Sequence, residues 1–264
     1  MNFNNKTIWI TGASSGIGKA LAIEWSSYKT NLILSGRNIE KLNEVKTICE
    51  EKGADCMVIP LDLTDSNAIE GAVKKADESG LSIDILVNNG GISQRSWAKE
   101  TPVTVDRTVM ETNFFGAITL TKKVLPQMIR NKSGHIVVIS SVVGKFGFPL
   151  RTAYSASKHA LQGYFDSLRA ELNSENINIT MVSPGRIYTD ISINAINHEG
   201  KKHGIMDPGQ AKGIPADKCA RKIILAVKKN KKDILVAKGE TLMVYIRKFL
   251  PFLYYKLASK VSPT

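Results

Sequence analysis

Short apolar runs alternate with longer stretches of helical periodicity along most of the chain. The runs are rich in β-branched residues, and several are apolar throughout, as in strands buried within a parallel sheet. We predict strands at residues 6–11, 31–35, 55–60, 84–87, 135–140, 177–182 and 233–236. The stretches between them predict helices, among them 39–52, 103–130 and 215–229. This alternation predicts an α/β fold with one doubly wound parallel sheet and helices on both faces.

The chain shows no internal repeat, low-complexity tract or linker. Its 264 residues suit one α/β domain, since such domains often reach ~200–250 residues. We expect a single domain over residues 1–238, followed by an extension over 239–264. The extension mixes apolar and aromatic residues with Lys and Arg, and Pro251 divides it into two short segments. This mixture suits a surface helix at a lipid interface, and equally packing over the rim of a site or against a second subunit.

The net charge of +12 is concentrated near the end of the chain. Residues 199–264 hold 15 Lys and Arg against 5 Asp and Glu, whereas the rest is nearly neutral, so we expect no nucleic-acid partner. The three cysteines lack the spacing of a zinc site or a redox pair, and no metal site is predicted. The first residues lack the apolar core of a signal peptide, and no apolar run reaches the ~18 residues of a membrane span. We expect a cytoplasmic protein, in solution or at a membrane surface.

A glycine-rich turn follows the first predicted strand. Gly12, Gly16 and Gly18 fall between that strand and a helical stretch. Strand, turn and helix N-terminus together make an anion site, because free backbone N–H groups and the helix dipole point at the turn. A plain tight turn would use the same glycines, and the spacing G-x-x-x-G-x-G differs from the commoner dinucleotide fingerprint.

Two strand ends carry charged residues suited to a dinucleotide. Arg37 follows the second predicted strand, where an arginine accommodates the 2′-phosphate of NADP and an acidic residue would hold the ribose of NAD. The sequence therefore favours NADP(H), with a plain surface charge as the alternative. Asp62 follows the third strand and could bind an adenine amino group or cap the next helix, a role that Asp65 or Ser66 fits better.

The carboxyl edge of the predicted sheet collects residues from six strand ends, and ligands bind at this edge in such folds. These residues are Gly12, Arg37, Asp62, Asn88, Ser141 and Pro184. Asn113 lies elsewhere, among apolar residues of the stretch 103–130. Its amide could serve a helix kink, a water relay or a satisfied core contact.

A tyrosine and a lysine stand four residues apart in the helical stretch after Ser141. Tyr154 and Lys158 share a helix face, since residues i and i+4 are surface neighbours. Both groups ordinarily titrate near pH ~10, and a lysine charge beside a phenol lowers the pKa of the phenol. Tyr154 is therefore a candidate general acid/base, with Ser141 able to steady a carbonyl oxygen. Alone, the pair also fits a half-buried tyrosine beside a solvated lysine.

These motifs, in this order, resemble those of the short-chain dehydrogenase/reductase family over about residues 6–236. The matching motifs are TGASSGIG at 11–18, Asp62, NNGG at 88–91, Asn113, Ser141, YSASK at 154–158 and PG at 184–185. The resemblance implies a single-domain Rossmann fold with a seven-stranded parallel sheet. It also implies hydride transfer between a nicotinamide and a carbonyl or alcohol. The family more often has Asn-Asn-Ala-Gly where this chain has Gly90, a change that removes no polar group.

The resemblance implies a role for each matching residue. Tyr154 would donate the proton, Ser141 would bind the carbonyl oxygen, and Asn113 would support a proton relay through water. Lys158 would lower the pKa of Tyr154 and hold the nicotinamide ribose, while Thr189 would touch the nicotinamide amide. The residues expected to bind the cofactor are Gly12, Ser14, Ser15, Gly16, Ile17, Gly18, Arg37, Asp62, Leu63, Asn89, Gly90, Tyr154, Lys158, Pro184, Gly185, Ile187 and Thr189.

The predicted function is that of an NADP(H)-dependent oxidoreductase acting on a lipophilic ketone, aldehyde or secondary alcohol, similar to hydroxysteroid dehydrogenases and retinoid or carbonyl reductases. The poorly periodic stretch 187–214 predicts a lid. Residues expected to line the substrate pocket are Ser93, Gln94, Phe146, Phe148, Tyr188 and the lid at 191–206. A homodimer or homotetramer is implied by the resemblance. The alternative is a non-catalytic NADP(H)-binding sensor or a membrane-associated scaffold, which the basic, apolar extension would suit.

Overall fold

A computed structural model describes residues 1–258 of the chain. Its strands are β1 (Thr7–Thr11), β2 (Asn31–Gly36), β3 (Asp55–Pro60), β4 (Ile85–Asn88), β5 (Gly134–Ile139), β6 (Ile177–Pro184), β7 (Ile187–Tyr188), β8 (Ile214–Pro215) and β9 (Asp233–Val236). Seven of them form one sheet in the order β3-β2-β1-β4-β5-β6-β9, with every neighbouring pair parallel. The predicted seven-stranded Rossmann sheet is confirmed, and each predicted strand lies within about two residues of its observed bounds.

The helices cover both faces of this sheet. They are α1 (Gly16–Ser26), α2 (Ile39–Glu50), α3 (Ser66–Glu78), α4 (Val103–Met110), α5 (Gly116–Arg130), α6 (Thr152–Glu171), α7 (Pro208–Ala211), α8 (Ala216–Lys228), α9 (Glu240–Phe249) and α10 (Pro251–Ala258). Helices α1, α2 and α8 pack on one face around Ile8 and Ile10 of β1, whereas α3, α5 and α6 pack on the other around Trp9. Successive strand residues point to opposite faces, and both faces are covered, so the strands read as apolar runs without polar alternation.

The winding of the sheet reverses between β1 and β4. Strand β1 pairs with β2 on one side and with β4 on the other, and the chain builds outward in both directions. Loops after neighbouring strands therefore diverge at this point, and a crevice opens beyond their carboxyl ends. The Thr11 hydroxyl oxygen accepts hydrogen bonds from the backbone N–H groups of Asn89 (3.0 Å) and Gly90 (2.9 Å), which ties the two strand ends together.

The helix predicted over 103–130 is interrupted by one wide turn. At Glu111–Phe115 the Gly116 N–H reaches back five residues to the carbonyl of Glu111, instead of four. A Cβ at Gly116 would collide with the backbone of Leu63, so α5 begins in direct contact with the loop after β3. Asn113 lies in this wide turn, which matches the kink among its predicted roles.

The stretch 187–214 is more ordered than a free loop. Strand β7 pairs with β8, so that Ile187 lies beside Ile214 at its two ends. Near its middle, Ile196 bridges to Gln94 in the loop after β4. The segment therefore crosses the carboxyl edge of the sheet while attached at both ends and at its centre.

The C-terminal extension forms α9 and α10, with Pro251 starting the second helix as predicted. Its inner face packs on the rim of the sheet's carboxyl edge. The Tyr254 hydroxyl donates to the Gly147 carbonyl (2.7 Å), and its ring lies 6.1 Å from that of Phe146. The rest of the predicted extension, residues 259–264, lies outside the described residues. No described helix has the length and apolarity needed to cross a membrane.

Candidate active site

A cavity of about 510 Å³ runs along the carboxyl edge of the sheet at the crevice between β1 and β4. It extends from the glycine turn and Arg37 at one end to Tyr154 and the segment 189–210 at the other. Most of the predicted site residues line it, namely Gly12, Ser14, Ser15, Gly16, Ile17, Arg37, Asp62, Leu63, Asn89, Gly90, Ser141, Tyr154, Lys158, Pro184, Gly185, Ile187 and Thr189. Among the predicted catalytic and cofactor-binding residues, Gly18 and Asn113 do not line it.

The glycine turn has the geometry of an anion site. Gly12 and Gly16 adopt positive φ of 65° and 54°, which a residue with a side chain rarely adopts. Ser15 precedes α1, and its side chain makes no hydrogen bond to the first turn of that helix. The Ser15 side chain therefore does not occupy the free backbone N–H groups at the N-terminus of α1, which can bind an anion. Gly18 instead lies behind the turn, where a Cβ would collide with the Gly12 carbonyl and the Asn89 amide. Its predicted cofactor contact is therefore replaced by a packing role that lets the turn close against β4.

Charged groups line the far end of the same groove. Arg37 and Lys41 both line the cavity there, and Lys41 was missed because it follows the strand end by five residues. The Asp62 carboxylate accepts from the backbone N–H (2.9 Å) and hydroxyl (2.8 Å) of Thr64. Burial raises the pKa of Asp62, but these bonds and the Arg37 charge outweigh it and hold the pKa below its usual value. Asp65 is the cap of α3, accepting from two N–H groups of its first turn as predicted.

Tyr154 and Ser141 meet at the end of the cavity opposite Arg37, because α6 is anchored to the strand ends around it. The Ser140 hydroxyl donates to the Lys158 carbonyl (3.0 Å), and the Gln94 side-chain oxygen accepts from the Ala153 N–H (2.8 Å). These bonds fix the first turns of α6 against β5 and the loop after β4. Burial raises the pKa of Tyr154, while the Ser141 hydroxyl beside it lowers that pKa.

Lys158 contacts the backbone and not the tyrosine hydroxyl. Its Nζ donates to the Ile139 carbonyl (2.9 Å) and lies 5.7 Å from the Tyr154 ring centroid. The cations that lower the pKa of Tyr154 are Arg151 and Arg95, and the net direction is upward because burial dominates. The expectation that Lys158 lowers this pKa is therefore not met. Burial also lowers the pKa of Lys158 itself, to about 8.

Asn113 is a satisfied core amide behind the cavity wall. Its Nδ2 donates to the Ile92 carbonyl (2.9 Å) and the Ser157 hydroxyl (3.0 Å), and its Oδ1 accepts from the Ile92 N–H (2.8 Å). Of the predicted alternatives, the structure supports the helix kink and the core contact. The amide fixes the loop after β4 to the turn of α6 between Tyr154 and Lys158. Its use in a water relay stays a prediction.

The substrate end of the cavity contains charges that the sequence reasoning missed. Phe146, Phe148 and Ser93 line it as predicted, but Gln94 is fully buried and Tyr188 faces solvent, so both of those predictions are wrong. Arg95 and Arg151 also line it, and both bond to Asp207 of the crossing segment. Arg95 follows the NNGG motif by four residues, and Arg151 precedes Tyr154 by three. This closeness to predicted site residues could have indicated that both arginines lie at the site. Within residues 1–258, no group of acidic, His and Cys side chains is arranged to hold a metal ion.

Comparison with protein-family models tests the family membership that the motifs suggest. A family model described as short chain dehydrogenase matches residues 6–200. The chain belongs to this family. It is 43% identical over 258 residues to "Dehydrogenase/reductase SDR family member 7B" of Xenopus laevis, covering 95% of this chain and 80% of that protein. It is 42% identical over 260 residues to "Dehydrogenase/reductase SDR family protein 7-like" of Drosophila melanogaster, covering 97% and 80%.

Solved structures agree with the fold of this short-chain dehydrogenase. A short chain dehydrogenase/reductase from Burkholderia phymatum in complex with NAD superposes with a TM-score of 0.86 at 21% identity, covering 100% of this chain and 98% of that one. A putative gluconate dehydrogenase from Agrobacterium tumefaciens gives 0.80 at 20% identity, covering 90% and 96%. At these identities the likeness shows the fold alone. By its family the protein is an oxidoreductase that uses a nicotinamide cofactor, and the glycine turn with its open helix N-terminus fits the phosphates of that cofactor.

The depressed pKa of Lys158 predicts a pH dependence of stability. Its pKa is about 8 in the folded protein, against 10.5 for an exposed lysine. Between these values the unfolded chain binds more protons, so the free energy of unfolding rises with pH. From pH ~7.5 to pH ~9.5 the rise is about 2 kcal/mol. Urea unfolding of the cofactor-free protein should show that the wild type gains this amount relative to Lys158→Met.

Lys75→Met is the matched control, because Lys75 lies exposed on α3. This variant should follow the wild type at both pH values. If Lys158→Met also follows the wild type, burial does not depress the pKa of Lys158.

Proposed function

We propose that this protein is an NADP(H)-dependent oxidoreductase acting on a ketone, an aldehyde or a secondary alcohol. The observation that carries the proposal is one continuous cavity, lined at one end by a phosphate-type glycine turn and Arg37, and at the other by Tyr154 and Ser141. A proton donor and a hydroxyl that can hold an oxygen thus face the space beside a dinucleotide groove. This arrangement suits proton transfer to a substrate that exchanges a hydride with the cofactor.

Tyr154 is the proposed proton donor to the carbonyl oxygen during reduction. Burial raises its pKa, so its hydroxyl is protonated at neutral pH and ready to donate. The Ser141 hydroxyl holds the same oxygen and stabilises the negative charge that develops there. A bound nicotinamide supplies the hydride for reduction and accepts it in the reverse direction. Lys158, which lines the cavity near Ile139, is proposed to bind the cofactor's ribose hydroxyls.

Tyr154→Phe should abolish turnover while leaving cofactor binding intact. The substitution removes the proton donor but keeps the buried ring, so we expect kcat to fall by about 10²–10⁴-fold. NADPH consumption over a panel of ketones, quinones and aldehydes measures this loss, and fluorescence titration measures NADPH affinity, which should change by less than about threefold.

Tyr164→Phe is the matched control. Tyr164 is a half-buried tyrosine of the same helix, outside the cavity, and its loss should leave kcat unchanged. Undiminished turnover in Tyr154→Phe would reject the mechanism. NADPH binding without turnover of any panel member by the wild type would favour the rival function, a non-catalytic NADP(H)-binding sensor or membrane-associated scaffold.

The preference for NADP(H) over NAD(H) rests on the charge around the second strand end. Arg37 and Lys41 line this part of the cavity, and Arg37 lowers the pKa of the neighbouring Asp62 through its charge. A 2′-phosphate would find two cations there, whereas the family members that hold an unphosphorylated ribose place an acidic residue at this strand end. Asp62 remains the proposed partner of the adenine amino group.

Arg37→Gln should weaken NADPH binding by at least about tenfold, because a charge-assisted contact to phosphate is lost. NADH affinity should change by less than about twofold. Calorimetric titration of both cofactors provides the measurement, and Arg107→Gln, an exposed arginine on α4, is the control. Equal effects on NADPH and NADH would remove the 2′-phosphate argument.

A lipophilic substrate is supported by the walls beside Tyr154. Phe146, Phe148, Val142 and Val143 line this end of the cavity, and Tyr254 covers Phe146 from the C-terminal extension. An apolar body would thus lie on aromatic and branched side chains, with its reacting oxygen at Tyr154. The steroid-, retinoid- or lipid-like class is proposed on this ground.

We also propose that the protein contacts a membrane surface through the outer face of its C-terminal extension. Tyr245, Phe249, Phe252 and Tyr255 are each more than half exposed there. Arg247 and Lys248 of α9 add positive charge. Aromatic side chains beside basic ones favour the interface of an anionic bilayer.

Phe249→Ser combined with Phe252→Ser should reduce binding to vesicles of phosphatidylcholine and phosphatidylserine. In co-sedimentation, the fraction of protein bound to vesicles should be at least threefold lower, because two highly exposed aromatic rings no longer enter the lipid interface. The control pair, Val103→Ser with Leu225→Ser, removes exposed apolar side chains from α4 and α8 and should bind as the wild type does. Equal binding of both double variants would exclude the extension as the membrane contact.

The assembly and location follow from the family resemblance and from composition. We propose a homodimer or homotetramer located in the cytoplasm, in solution or against a membrane surface, with no nucleic-acid partner. The near-neutral charge of the first three-quarters of the chain supports the last point.

A further inference from the structure

Two buried arginines share one carboxylate at the substrate end of the cavity. The side chains of Arg95 and Arg151 are 5% and 14% exposed, and both donate to the Asp207 carboxylate. Arg151 does so through Nη2 at 2.9 Å, and Arg95 through Nε at 3.2 Å and also through Nη2. All three residues line the cavity that contains Tyr154 and Ser141. Apart from the effect of the two arginines on the pKa of Tyr154, none of the three has a role in the proposed proton transfer.

This cluster holds more positive than negative charge. Two guanidinium groups face one carboxylate, which leaves one net positive charge within the cluster. Burial, together with the charges of Arg95 and Arg186, lowers the pKa of Arg151 to about 9. Two cations that repel each other in a partly dehydrated cavity bind an anion favourably. The anion offsets both their mutual repulsion and their loss of hydration.

The arginines also keep hydrogen-bond donors free. A guanidinium has five N–H groups. Within residues 1–258, Arg151 uses one on Asp207 and one on the Pro149 carbonyl, while Arg95 uses two on Asp207 and one on the Gln94 carbonyl. Each guanidinium therefore has at least two N–H groups without an acceptor among these residues. Arg151 is further held over the Phe148 ring at 4.8 Å, which fixes its plane.

We propose that Arg95 and Arg151 form a subsite for an oxyanion carried by the substrate, a carboxylate or a phosphate, at a distance from the carbonyl that Tyr154 serves. The planar fork of arginine matches both groups by paired hydrogen bonds. Asp207 offsets part of the positive charge that attracts the substrate's anion, and so lowers the affinity of the subsite for that anion. The proposal rests on the proposed oxidoreductase function and defines its substrate class.

The walls around the subsite define the remainder of this substrate. Phe146, Phe148 and Val143 line the same end of the cavity, so the reacting carbonyl belongs to an amphiphile with one apolar part and one anionic group. The glycine turn and Arg37, which suit the phosphates of the cofactor, line the opposite end. The arginine pair is thus available to the substrate while the dinucleotide groove is filled.

The competing explanation is that the cluster is only a clamp. Asp207 belongs to the segment that crosses the site, and its bonds to Arg95 and Arg151 hold that segment down. A clamp would affect charged and neutral substrates alike. If the cluster is an oxyanion subsite, the preference for anionic over neutral substrates depends on Arg95 and Arg151.

The test compares two matched pairs of ketones with NADPH as reductant. One pair is a medium-chain oxo acid and its primary amide, and the other is a medium-chain oxo-alkyl phosphate and the corresponding alcohol. For each pair, the ratio of kcat/KM for the anionic to the neutral member is measured in the wild type, Arg151→Gln, Arg95→Gln and Asp207→Asn. Arg169→Gln is the control, because Arg169 is a half-buried arginine bonded to Asp166 and to backbone carbonyls away from the cavity.

The wild type should prefer the anionic member of at least one pair, and the preferred pair identifies the oxyanion as carboxylate or phosphate. This ratio should fall at least tenfold in Arg151→Gln and Arg95→Gln, and rise at least threefold in Asp207→Asn. Arg169→Gln should leave the ratio unchanged. Parallel losses for the anionic and neutral members, with an unchanged ratio, would overturn the proposal in favour of the clamp.

A binding measurement separates this proposal from the proposed function. Inorganic phosphate and acetate are titrated calorimetrically into protein saturated with NADP⁺, so that the cofactor's anion sites are filled. The affinity for one of them should drop at least tenfold in Arg151→Gln, and should remain unchanged in Arg169→Gln. If no ketone is reduced but this drop is seen, the oxidoreductase assignment fails and the anion subsite stands. If ketones are reduced but neither anion binds through the arginines, the subsite fails alone.

Discussion

The close approach of two strand ends is the constraint on which the site depends. The Thr11 hydroxyl binds the backbone of Asn89 and Gly90, and Gly18 lets the turn after β1 close against the Asn89 amide. Because these strands run parallel and their helices leave toward opposite faces, the space beyond them is open to a ligand. The glycines at this point are a steric requirement, since a Cβ at Gly18 would collide with backbone. The groove, the Tyr154 and Ser141 hydroxyls and the Arg95–Asp207–Arg151 cluster all lie along the edge defined by this contact.

Burial and charge act in opposite directions on the groups around Tyr154. Burial raises the pKa of the tyrosine and lowers that of Lys158, so each is moved toward its neutral form. Arg95 and Arg151 supply the positive charge that opposes this effect at the tyrosine. The lysine was expected to do so, but its ammonium group is directed to the Ile139 carbonyl. The positive charges that act on Tyr154 therefore come from Arg95 and Arg151, which bond to Asp207.

The sheet was predictable because local and tertiary requirements coincide in it. Neighbouring residues of β1 such as Trp9 and Ile10 point to opposite faces of the sheet, and both are apolar. Because helices cover both faces, the continuous apolar run in the sequence is what a buried strand requires. Asn113 shows the limit of such reasoning. One polar residue in an apolar helix predicted a special contact, but its partners, Ile92 and Ser157, lie 21 and 44 residues away and could not be chosen from the sequence. Gln94 and Tyr188 were wrongly placed in the pocket for the same reason, since loop side chains take their direction from long-range contacts.

The sequence by itself determined the fold class and the phosphate-type turn, and it singled out Tyr154 as the candidate proton donor. Those features depend on short-range order, in which strand, glycine turn and helix follow one another, and Tyr154 and Lys158 are one helical turn apart. Only the tertiary structure decided that Arg95, Arg151 and Asp207 meet beside Tyr154. Asp207 is 112 residues from Arg95 and 56 from Arg151, and no local periodicity relates them. They are brought together because the segment after β6 crosses the carboxyl edge of the sheet, and burial there requires each charge to have a partner.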